Sequence, residues 1–247
     1  MTSKAQVVFA DSADKIPTEA VGGKITTVYW NICGLGQTPR YVLEMAGVEY
    51  ADVRLHWGPG LPGTDEYKQM WMAKKRKIGE QVLFPNLPYL IDGDVKISQT
   101  NTILKYLGRK FDLMGEAANA HLVDFVLDQT TDFDGAVTGR CYGDFASLKP
   151  FCEVQLPVAL ADWTRLLGDK PFMTGDAVTV ADLKIYETLR KLKIIESQEA
   201  IGTNTLASFP KVLAFIDRVE ALPAMKNYLG SAAFMERPLN NEHAQFK

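Results

Sequence analysis

The sequence predicts an α/β domain followed by an all-α domain. In the first part of the chain, short runs of β-branched and aromatic residues alternate with helical patterns, whereas beyond residue 116 helical patterns continue to the end. A chain of 247 residues is long enough to bury two modest cores, and 47% hydrophobic residues is ordinary for a globular protein. We expect domains at residues 25–110 and 117–247, joined by a linker at 111–116 and preceded by an N-terminal extension at 1–24.

The composition argues against several classes of partner. A formal charge of −3 and a pI near 5.7 give no basic surface to attract nucleic acid or anionic lipid, and no apolar run approaches membrane-spanning length. We therefore expect neither nucleic acid nor a membrane as a partner. The three cysteines are scattered and odd in number, which indicates reduced thiols in a cytoplasmic protein. The three histidines are equally dispersed, so no metal site is predicted.

Residues 1–24 do not have the pattern of a targeting signal. They contain Asp11, Asp14 and Glu19 but no arginine, which is a poor composition for a transit peptide. The apolar run Gln6–Ala10 is too short for a secretory core. We interpret the segment as an extension with a glycine hinge at its end. The sequence leaves open whether the apolar run docks on the body of the protein.

The α/β domain begins with a βαβ unit. Runs of β-branched and aromatic residues predict strands at Ile25–Trp30 and Tyr50–Leu55. Between them, Thr38 is predicted to cap a helix that has Pro39 at its first position, continues through Arg40–Ala46 and ends at the following glycine.

Beyond a Gly/Pro-rich loop, the sequence predicts a hairpin followed by a helix. Tyr89–Ile91 forms the first strand, and Asp92-Gly93 is predicted to supply the positive φ angles of a tight turn into Val95–Ile97. The capping side chains that begin at Ser98 then start a helix near Thr100. Together with the βαβ unit, this order of elements is that of a thioredoxin-like domain.

Both ends of this hairpin carry groups that could hold a short peptide. Pro88 has no N–H, and the extended geometry of Leu87 before it leaves that residue's backbone groups able to pair with a peptide laid alongside. At the other end, the unpaired N–H groups that start the helix, together with Gln99 and Thr100, form a site for a carboxylate. The alternative is that the two segments are merely a turn and a helix cap.

After the linker, the sequence predicts helices throughout. His121–Gly143 has the pattern of one long helix, and Phe151–Leu167 that of another, with a kink at Pro157 because proline removes an internal hydrogen bond. Thr179–Asp182 is a variant of the capping box and starts the next helix. Two more helices are predicted, at Pro210–Val219 and Ala224–Leu229.

Two motifs resemble those of cytosolic glutathione transferases, and of the mu class most closely. The segment Phe84–Asn101 resembles the glutathione-binding segment of that family. The run Tyr29–Leu35 (Tyr-Trp-Asn-Ile-Cys-Gly-Leu) is similar to the mu-class pattern Tyr-Trp-x-Ile-Arg-Gly-Leu at every position but one. The resemblance extends from about Ile25 to Pro238. It implies a thioredoxin-like domain followed by a helical one, a homodimer, glutathione as co-substrate without a further cofactor, and conjugation of glutathione to small hydrophobic electrophiles in detoxification.

The resemblance also implies roles for individual residues. Tyr29 is implied to be catalytic, with its hydroxyl donating a hydrogen bond to the glutathione thiolate. Leu87, before a cis Pro88, is implied to pair with the cysteinyl backbone of glutathione, and Phe84 to insert into the neighbouring subunit. The implied glutathione contacts are Tyr29, Trp30, Lys68, Trp71, Lys75, Asn86, Leu87, Pro88, Gln99, Thr100 and Asp132, the last reaching across the dimer. The implied electrophile contacts are Trp30, Tyr142 and Phe234.

Several of these positions have alternative interpretations. Cys33 stands where the family has arginine, and we interpret it as an unreactive loop thiol, with a reactive cysteine as the alternative. Tyr29 and Phe84 could each be ordinary core aromatics. Asp132 could belong to a solvated helix face, and Tyr142 could pack between domains. For the whole protein, the alternatives are a non-catalytic carrier or structural protein of the same fold, and a glutathione-dependent isomerase of the prostaglandin synthase type.

Overall fold

The structure, a computed structural model, describes residues 2–56 and 65–247. For residues 65–67 it describes the backbone only. The predicted Gly/Pro-rich loop at residues 57–63 thus lies outside the described residues.

The chain divides into two compact units. The first comprises Met1–Leu107 and Asn227–His243, and the second comprises Gly108–Lys226 and Ala244–Lys247. The expected division assigned the whole C-terminal region to the helical domain. The tail at Asn227–His243 instead packs with the first unit, because its backbone carbonyls accept hydrogen bonds from that unit's loops.

The first unit is built on a five-stranded mixed sheet. Its strands are β1 (Ala5–Ala10), β2 (Ile25–Trp30), β3 (Tyr50–Leu55), β4 (Tyr89–Asp92) and β5 (Val95–Ser98), in the order β1-β3-β2-β4-β5. β1 and β2 both pair with β3 in parallel, whereas β4 pairs with β2, and β5 with β4, in antiparallel fashion. The strands β2 and β3 are confirmed over their full predicted length.

The main helices of the described residues are α1 (Gln37–Ala46), α2 (Asp65–Gly79), α3 (Thr100–Lys110), α4 (Ala120–Tyr142), α5 (Leu156–Leu167), α6 (Val180–Glu196), α7 (Pro210–Ala221) and α8 (Pro223–Leu229). In the second unit, α4 packs along α6. The predictions for α4, α7 and α8 are confirmed to within two residues at each end.

Residues 1–24 join the first unit and are not a separate extension. β1 pairs in register with the full length of β3. Further along, Ile16 is only 1% exposed. Gly22 and Gly23 both have positive φ and form the short turn that leads into β2. The apolar run that the sequence left open therefore docks as an edge strand, because the edge of β3 offers it unpaired backbone groups.

The start of α1 differs from the prediction. A 3-10 turn at Gly34–Gly36 leads directly into the helix, so α1 begins at Gln37. Thr38 therefore lies inside the helix and does not cap it. Pro39 is the third helical residue, where its missing N–H removes no intrahelical hydrogen bond. The helix ends as predicted at Gly47, which has a φ of 68°.

The hairpin of β4 and β5 is confirmed, but its turn is one residue later than predicted. Asp92 pairs with Val95 as the last rung of the ladder, so the turn residues are Gly93 and Asp94. Gly93 supplies a positive φ of 58°, while Asp92 stays in the strand. α3 begins at Thr100, as predicted.

Pro157 directly follows a π-helical turn. An α-helical turn at Leu148–Pro150 runs into the π-helical Phe151–Gln155, and the regular α-helical part, α5, starts at Leu156. Pro157 therefore lies in the first turn of α5, where its missing N–H costs α5 no hydrogen bond. The predicted helix at Phe151–Leu167 is thus helical over its full length, with a π-helical first part, and the kink at Pro157 stays a prediction.

The predicted capping box at the start of α6 is confirmed. The buried Asp182 carboxylate accepts hydrogen bonds from the Thr179 N–H at 2.9 Å and from the Met173 N–H at 2.7 Å. Two buried backbone donors are thereby satisfied by one side chain.

Candidate functional site

The sheet register brings three predicted site segments to one end of the first unit. Val28 pairs with Tyr89, and Tyr89 pairs with Ser98. The residues that follow Val28, precede Tyr89 and follow Ser98 therefore lie side by side, at the ends of three adjacent strands. Neighbouring strands are about 4.8 Å apart, so the outer two of these ends are separated by about 10 Å.

Tyr29, the residue after Val28, is held by the 3-10 turn that follows β2. Its side chain is buried, and the Leu35 N–H donates a hydrogen bond of 3.2 Å to its hydroxyl oxygen. A Cβ added at Gly36 would lie 2.5 Å from the ring, and one added at Gly34 would lie 2.8 Å from the hydroxyl oxygen. Glycine is therefore required at both positions for the turn to close around the phenol.

The same turn is pinned by the C-terminal tail. The Cys33 N–H donates to the Pro238 carbonyl at 2.9 Å, and the Gly34 N–H donates to the Leu239 carbonyl at 3.0 Å. The Cys33 side chain is fully buried, and its thiol donates to the Met235 carbonyl at 3.1 Å. These contacts support the interpretation of Cys33 as an unreactive structural thiol.

A buried ion-pair network supports the turn from the other side. The fully buried Arg40 donates to the Asp52 carboxylate at 3.0 Å and to the Ile32 carbonyl at 3.1 Å. Arg54 donates to the same carboxylate at 2.7 Å. Burial opposes the charge on Arg40, but the neighbouring Asp52 raises the pKa of Arg40 above its ordinary value. Arg40 therefore stays charged and holds the backbone near Ile32.

Sequence reasoning did not identify this network. Its signal was present in β3, where Asp52 and Arg54 interrupt a strand that is otherwise apolar or small. Buried charges are rare unless they are paired, so two of them in a central strand indicate a partner elsewhere, here Arg40.

The Leu87–Pro88 peptide bond, at the second strand end, is cis. The Leu87 N–H donates to the Asn86 side-chain oxygen at 3.0 Å, and Asn86 itself is exposed. The prediction that both backbone groups of Leu87 are unengaged is thus wrong for its N–H. The reason is that the exposed Asn86 carboxamide folds back over the next amide, as Asn side chains commonly do.

Gln99 and Thr100 lie at the third strand end. Gln99 is exposed and has a φ of 73°, a left-handed conformation that a non-glycine residue adopts at an energetic cost. Its carbonyl accepts a hydrogen bond from the Ile103 N–H at 3.0 Å, which places Gln99 at the N-cap of α3. Thr100 is the first helical residue and half-buried.

Three more predicted contacts lie on α2. Lys68, Trp71 and Lys75 are spaced by three and four residues and therefore share one helix face. Trp71 is buried and stacks on Tyr89, with ring centroids 6.1 Å apart. Because Tyr89 directly follows Pro88, α2 is anchored beside the second strand end. Lys68 is exposed and Lys75 half-buried.

Two predicted electrophile contacts belong to the first unit. Trp30 is the last residue of β2 and is half-buried. Phe234 lies in the C-terminal tail, where its ring packs edge-on against Tyr228 at 5.4 Å. Tyr142, the third contact, is the last residue of α4 in the second unit.

Phe84 is not a core residue. Its side chain is 85% exposed, and the neighbouring Leu83 is 84% exposed. Two large apolar side chains thus project into solvent side by side, which is unusual for a monomeric protein.

The second unit has an apolar groove between α4 and α5. Its cavity volume is about 950 Å³. Phe125, Val154 and Val158 line this α4–α5 groove and are each more than half exposed. Asp132 lies in its lining and is exposed, and Trp163 forms part of its floor.

Two kinds of feature do not occur in the part of the chain that the structure describes. It contains no group of three or more His, Cys, Asp or Glu side chains arranged to hold a metal ion. It also contains no helix that is both long and apolar enough to cross a bilayer.

Comparison with known proteins assigns the family. Residues 26–109 match the family model "Glutathione S-transferase, N-terminal domain", and residues 132–232 match "Glutathione S-transferase, C-terminal domain". Glutathione S-transferase Mu 7 of Rattus norvegicus is 37% identical over 217 residues, which cover 87% of this chain and 94% of the relative. Glutathione S-transferase Mu 4 of Homo sapiens is 35% identical over 217 residues, which again cover 87% of this chain and 94% of the relative.

Solved structures agree on the fold. A Pi-class glutathione S-transferase of Onchocerca volvulus superposes with a TM-score of 0.73 at 25% identity, covering 90% of this chain and 100% of that one. The glutathione S-transferase Blo t 8 also has a TM-score of 0.73, at 23% identity, with 90% and 99% coverage. The predicted thioredoxin-like plus helical fold is therefore confirmed. The chain belongs to the glutathione S-transferase family and is similar to its mu class.

Proposed function

We propose that this protein conjugates the thiolate of glutathione to small hydrophobic electrophiles. The observation that carries the proposal is the convergence of Tyr29, the cis Leu87–Pro88 peptide and the start of α3 at the ends of three adjacent strands. An extended peptide advances about 3.3 Å per residue, so a tripeptide is about as long as the 10 Å that separates the outer two ends.

Each part of glutathione has a chemically suitable partner in this arrangement. Leu87 offers its carbonyl, and its N–H once the Asn86 carboxamide moves aside, to the cysteinyl backbone of the ligand. Gln99, Thr100 and the first N–H groups of α3 suit the γ-glutamyl carboxylate. Lys68, Trp71 and Lys75 on α2 suit the glycyl carboxylate.

Tyr29 activates the thiol by donating a hydrogen bond to its ionised sulfur. The bond from the Leu35 N–H is accepted by a lone pair of the hydroxyl oxygen and does not use the hydroxyl proton. A hydrogen bond to a charged group contributes about 1.5 to 3 kcal/mol, equivalent to roughly one to two pKa units. A thiol with an ordinary pKa near 8.5 would thereby become substantially ionised at neutral pH. The resulting thiolate attacks the electrophile, and no metal or redox cofactor is needed because glutathione itself supplies the nucleophile.

The electrophile is proposed to bind against aromatic surface. Trp30 follows the catalytic tyrosine directly, and Phe234 lies in the tail that pins the same turn. Tyr142, which the resemblance also implies as an electrophile contact, is the last residue of α4. Apolar surfaces of this kind favour hydrophobic substrates.

The active protein is proposed to be a homodimer in which Phe84 inserts into a second copy. Phe84 and Leu83 form an exposed apolar pair, and the α4–α5 groove offers an exposed apolar receptor of suitable size. A two-fold axis would repeat this contact, so that Phe84 and Leu83 of both copies would be buried. Asp132 lines the groove and would then face the partner's first unit, where its carboxylate could bind the γ-glutamyl amine.

The proposed setting is the cytoplasm. All three cysteines are buried and none of them forms a disulfide, as expected for a protein that folds in a reducing compartment.

The deciding experiment is turnover of a chloronitrobenzene with glutathione by the purified protein, combined with calorimetric binding of an S-alkyl glutathione. We expect both conjugation and binding. Binding without conjugation of any tested electrophile would favour the carrier alternative, and isomerised product without conjugate would favour the isomerase. Absence of binding would overturn the proposal.

The dimer is tested separately by sedimentation of Phe84→Ser. We expect this variant to dissociate to monomers while the wild-type chain remains dimeric. The substitution Val95→Ser, at a half-exposed position of β5, is the matched control and should leave the dimer intact. An undissociated Phe84→Ser dimer would show that this side chain is not at the interface.

A further inference from the structure

The matched family domain begins at residue 26, yet the preceding residues are built into the first unit. We define residues 3–21 as the N-terminal brace. The brace lies outside residues 26–109, which match the family model, so that match gives it no role.

One end of the brace is fixed to the open edge of the sheet. β1 pairs with the full length of β3, and the ladder continues as the His56 N–H donates to the Ala10 carbonyl at 2.9 Å. The Phe9 ring lies against the His56 ring, with centroids 5.2 Å apart. At the start of the brace, the Ser3 hydroxyl donates to the Glu44 carboxylate at 2.5 Å. This end is therefore anchored to both β3 and α1.

The other end of the brace packs against α2. The 3-10 turn at Ala13–Lys15 contacts α2. The next residue, Ile16, is 1% exposed and belongs to the same buried cluster as Trp71 and Ile78 of α2. α2 thus receives support from outside the family domain as well as from Tyr89 within it.

A hydrogen bond ties the brace to the residue on which Trp71 stacks. The Tyr89 hydroxyl donates to the Pro17 carbonyl at 2.6 Å, and Pro17 lines a shallow crevice together with Ile78. Two residues further on, Glu19 pairs with Lys96 of β5 at 2.6 Å. The brace therefore crosses from β1 to β5 while covering the helix that carries Trp71 and Lys75.

We propose that the N-terminal brace is a positioning element for glutathione, holding α2 in the place from which Trp71 and Lys75 reach the glycyl carboxylate. The inference rests on the proposed function, which assigns those two side chains to the ligand. A helix held in its binding-competent position binds the ligand without first being ordered, so loss of the brace weakens binding. At saturating glutathione the bound ligand keeps α2 in its binding-competent position, so kcat is preserved.

The test compares two brace variants with the wild-type chain. Ile16→Ala removes the buried wedge, and Tyr89→Phe removes only the donor to Pro17 while keeping the ring that stacks on Trp71. Lys15→Ala is the matched control, because its exposed side chain pairs with Asp11 inside the brace itself. For each, one measures hydrogen exchange of the α2 amides, the dissociation constant of glutathione by calorimetry, and KM and kcat for conjugation.

We expect Ile16→Ala to speed α2 exchange and to raise the glutathione dissociation constant and KM about three- to tenfold, which corresponds to α2 being competent for roughly a third to a tenth of the time. The value of kcat should stay within about twofold. Tyr89→Phe should show a smaller change in the same direction, and Lys15→Ala none. If Ile16→Ala fails to fold, Tyr89→Phe still tests the proposal.

Faster α2 exchange with an unchanged dissociation constant would overturn the proposal by showing that the brace is structural alone. Unchanged exchange in both brace variants would overturn it by showing that the brace does not hold α2. If the wild-type chain binds glutathione but Trp71→Ala binds equally well, α2 is not the glycyl site and the proposal falls with that assignment. A wild-type chain that does not bind glutathione would overturn the proposed function itself.

Discussion

The backbone amide of Leu35 donates a hydrogen bond of 3.2 Å to the hydroxyl oxygen of Tyr29. The turn that supplies this amide is itself held from two directions. Carbonyls of the C-terminal tail accept from the amides of Cys33 and Gly34, and the buried Arg40 guanidinium donates to the carbonyl at the start of the turn. The position of one phenol therefore depends on the tail, on the βαβ core and on the turn between them.

Tyr29→Phe is expected to lower kcat/KM for conjugation at pH 7 by about 10- to 150-fold. That range is the rate equivalent of losing a hydrogen bond of about 1.5 to 3 kcal/mol to a charged sulfur. As pH rises through the ordinary thiol pKa of about 8.5, the thiol ionises unaided, and the variant should recover toward the wild-type rate. The measurement is a pH–rate profile from pH 6 to about 9.5, compared with the wild-type profile.

The control for this prediction is glutathione affinity, which should stay within about twofold because the proposed role of the phenol is to act on the sulfur and not on the ligand backbone. Unchanged neutral-pH rates in Tyr29→Phe would remove the tyrosine from the mechanism.

Gly36→Ala is expected to lower stability by about 1 to 3 kcal/mol and to impair conjugation. The new Cβ would lie 2.5 Å from the Tyr29 ring, so either the turn or the phenol has to move. Backbone strain does not contribute, because Gly36 has a φ of −81° that alanine tolerates. The measurements are urea unfolding and kcat/KM.

Gly139→Ala, within α4, is the matched control, because a Cβ there would meet no atom within 4 Å. We expect it to stabilise the protein by up to about 1 kcal/mol through helix propensity and to leave activity unchanged. Full activity and stability of Gly36→Ala would show that the turn is not closely fitted to the phenol.

The elements that sequence patterns predicted correctly are those determined locally. β2 and β3 are continuous runs of strand-forming residues, and the capping box of α6 satisfies its own donors within four residues. The Thr38 cap failed because a 3-10 turn started the helix earlier. This error concerns where a helix begins, which an adjacent irregular turn decides.

Long-range pairing explains what the sequence left undecided. β1 is six residues long, and nothing in its composition reveals that the edge of β3 will accept it. Likewise, the motifs named Tyr29, Pro88 and Gln99, but only the strand register places them at one end of the sheet. The ion-pair network of Arg40 was not predicted, because Arg40 and Asp52 are separated in sequence and meet only in the folded core.

The three thiols are expected to be almost inert toward an aromatic disulfide reagent in the native protein and to react fully in urea. Cys33, Cys141 and Cys152 are all buried. Burial also raises the pKa of the Cys152 thiol to about 11, so its reactive thiolate is scarce at neutral pH. The measurement is the number of thiols titrated per chain with and without denaturant.

Cys33→Ser tests the role of the thiol in the turn. Serine keeps a donor for the Met235 carbonyl, so conjugation should remain within about threefold of wild type. Rapid native labelling of Cys33 that abolishes activity would instead support the reactive-cysteine interpretation.

The ion pair between the half-buried Asp134 and the buried Lys191 makes the stability of the second unit depend on pH. The Lys191 ammonium lies 2.5 Å from the Asp134 carboxylate, and the hydroxyls of Thr138 and Thr188 donate to the same carboxylate at 3.2 Å. Burial opposes ionisation of Asp134, but the ammonium and the hydroxyls outweigh it and hold the pKa of Asp134 below its ordinary value. Burial likewise opposes the charge on Lys191, but Asp134 raises the pKa of Lys191 above its ordinary value.

The stabilisation from Asp134 is therefore complete above its unfolded pKa of about 3.9 and is lost as pH falls through the lower folded value. The stabilisation from Lys191 is complete below about pH 10.4 and is lost as pH rises through the higher folded pKa.

Asp134→Asn should lower the free energy of unfolding by about 3 to 5 kcal/mol at pH 7, because it leaves Lys191 buried without its counter-ion. The variant should also lose less stability than the wild-type chain as pH falls into the acid range. The measurement is urea unfolding at pH 3, 5 and 7 for this variant, for Lys191→Met and for the double variant.

The matched control is Asp128→Asn, at an exposed position on the same helix, which should change stability by less than about 0.5 kcal/mol. If the double variant is as unstable as the sum of the two single variants, the two side chains are not coupled and the pH dependence has another origin.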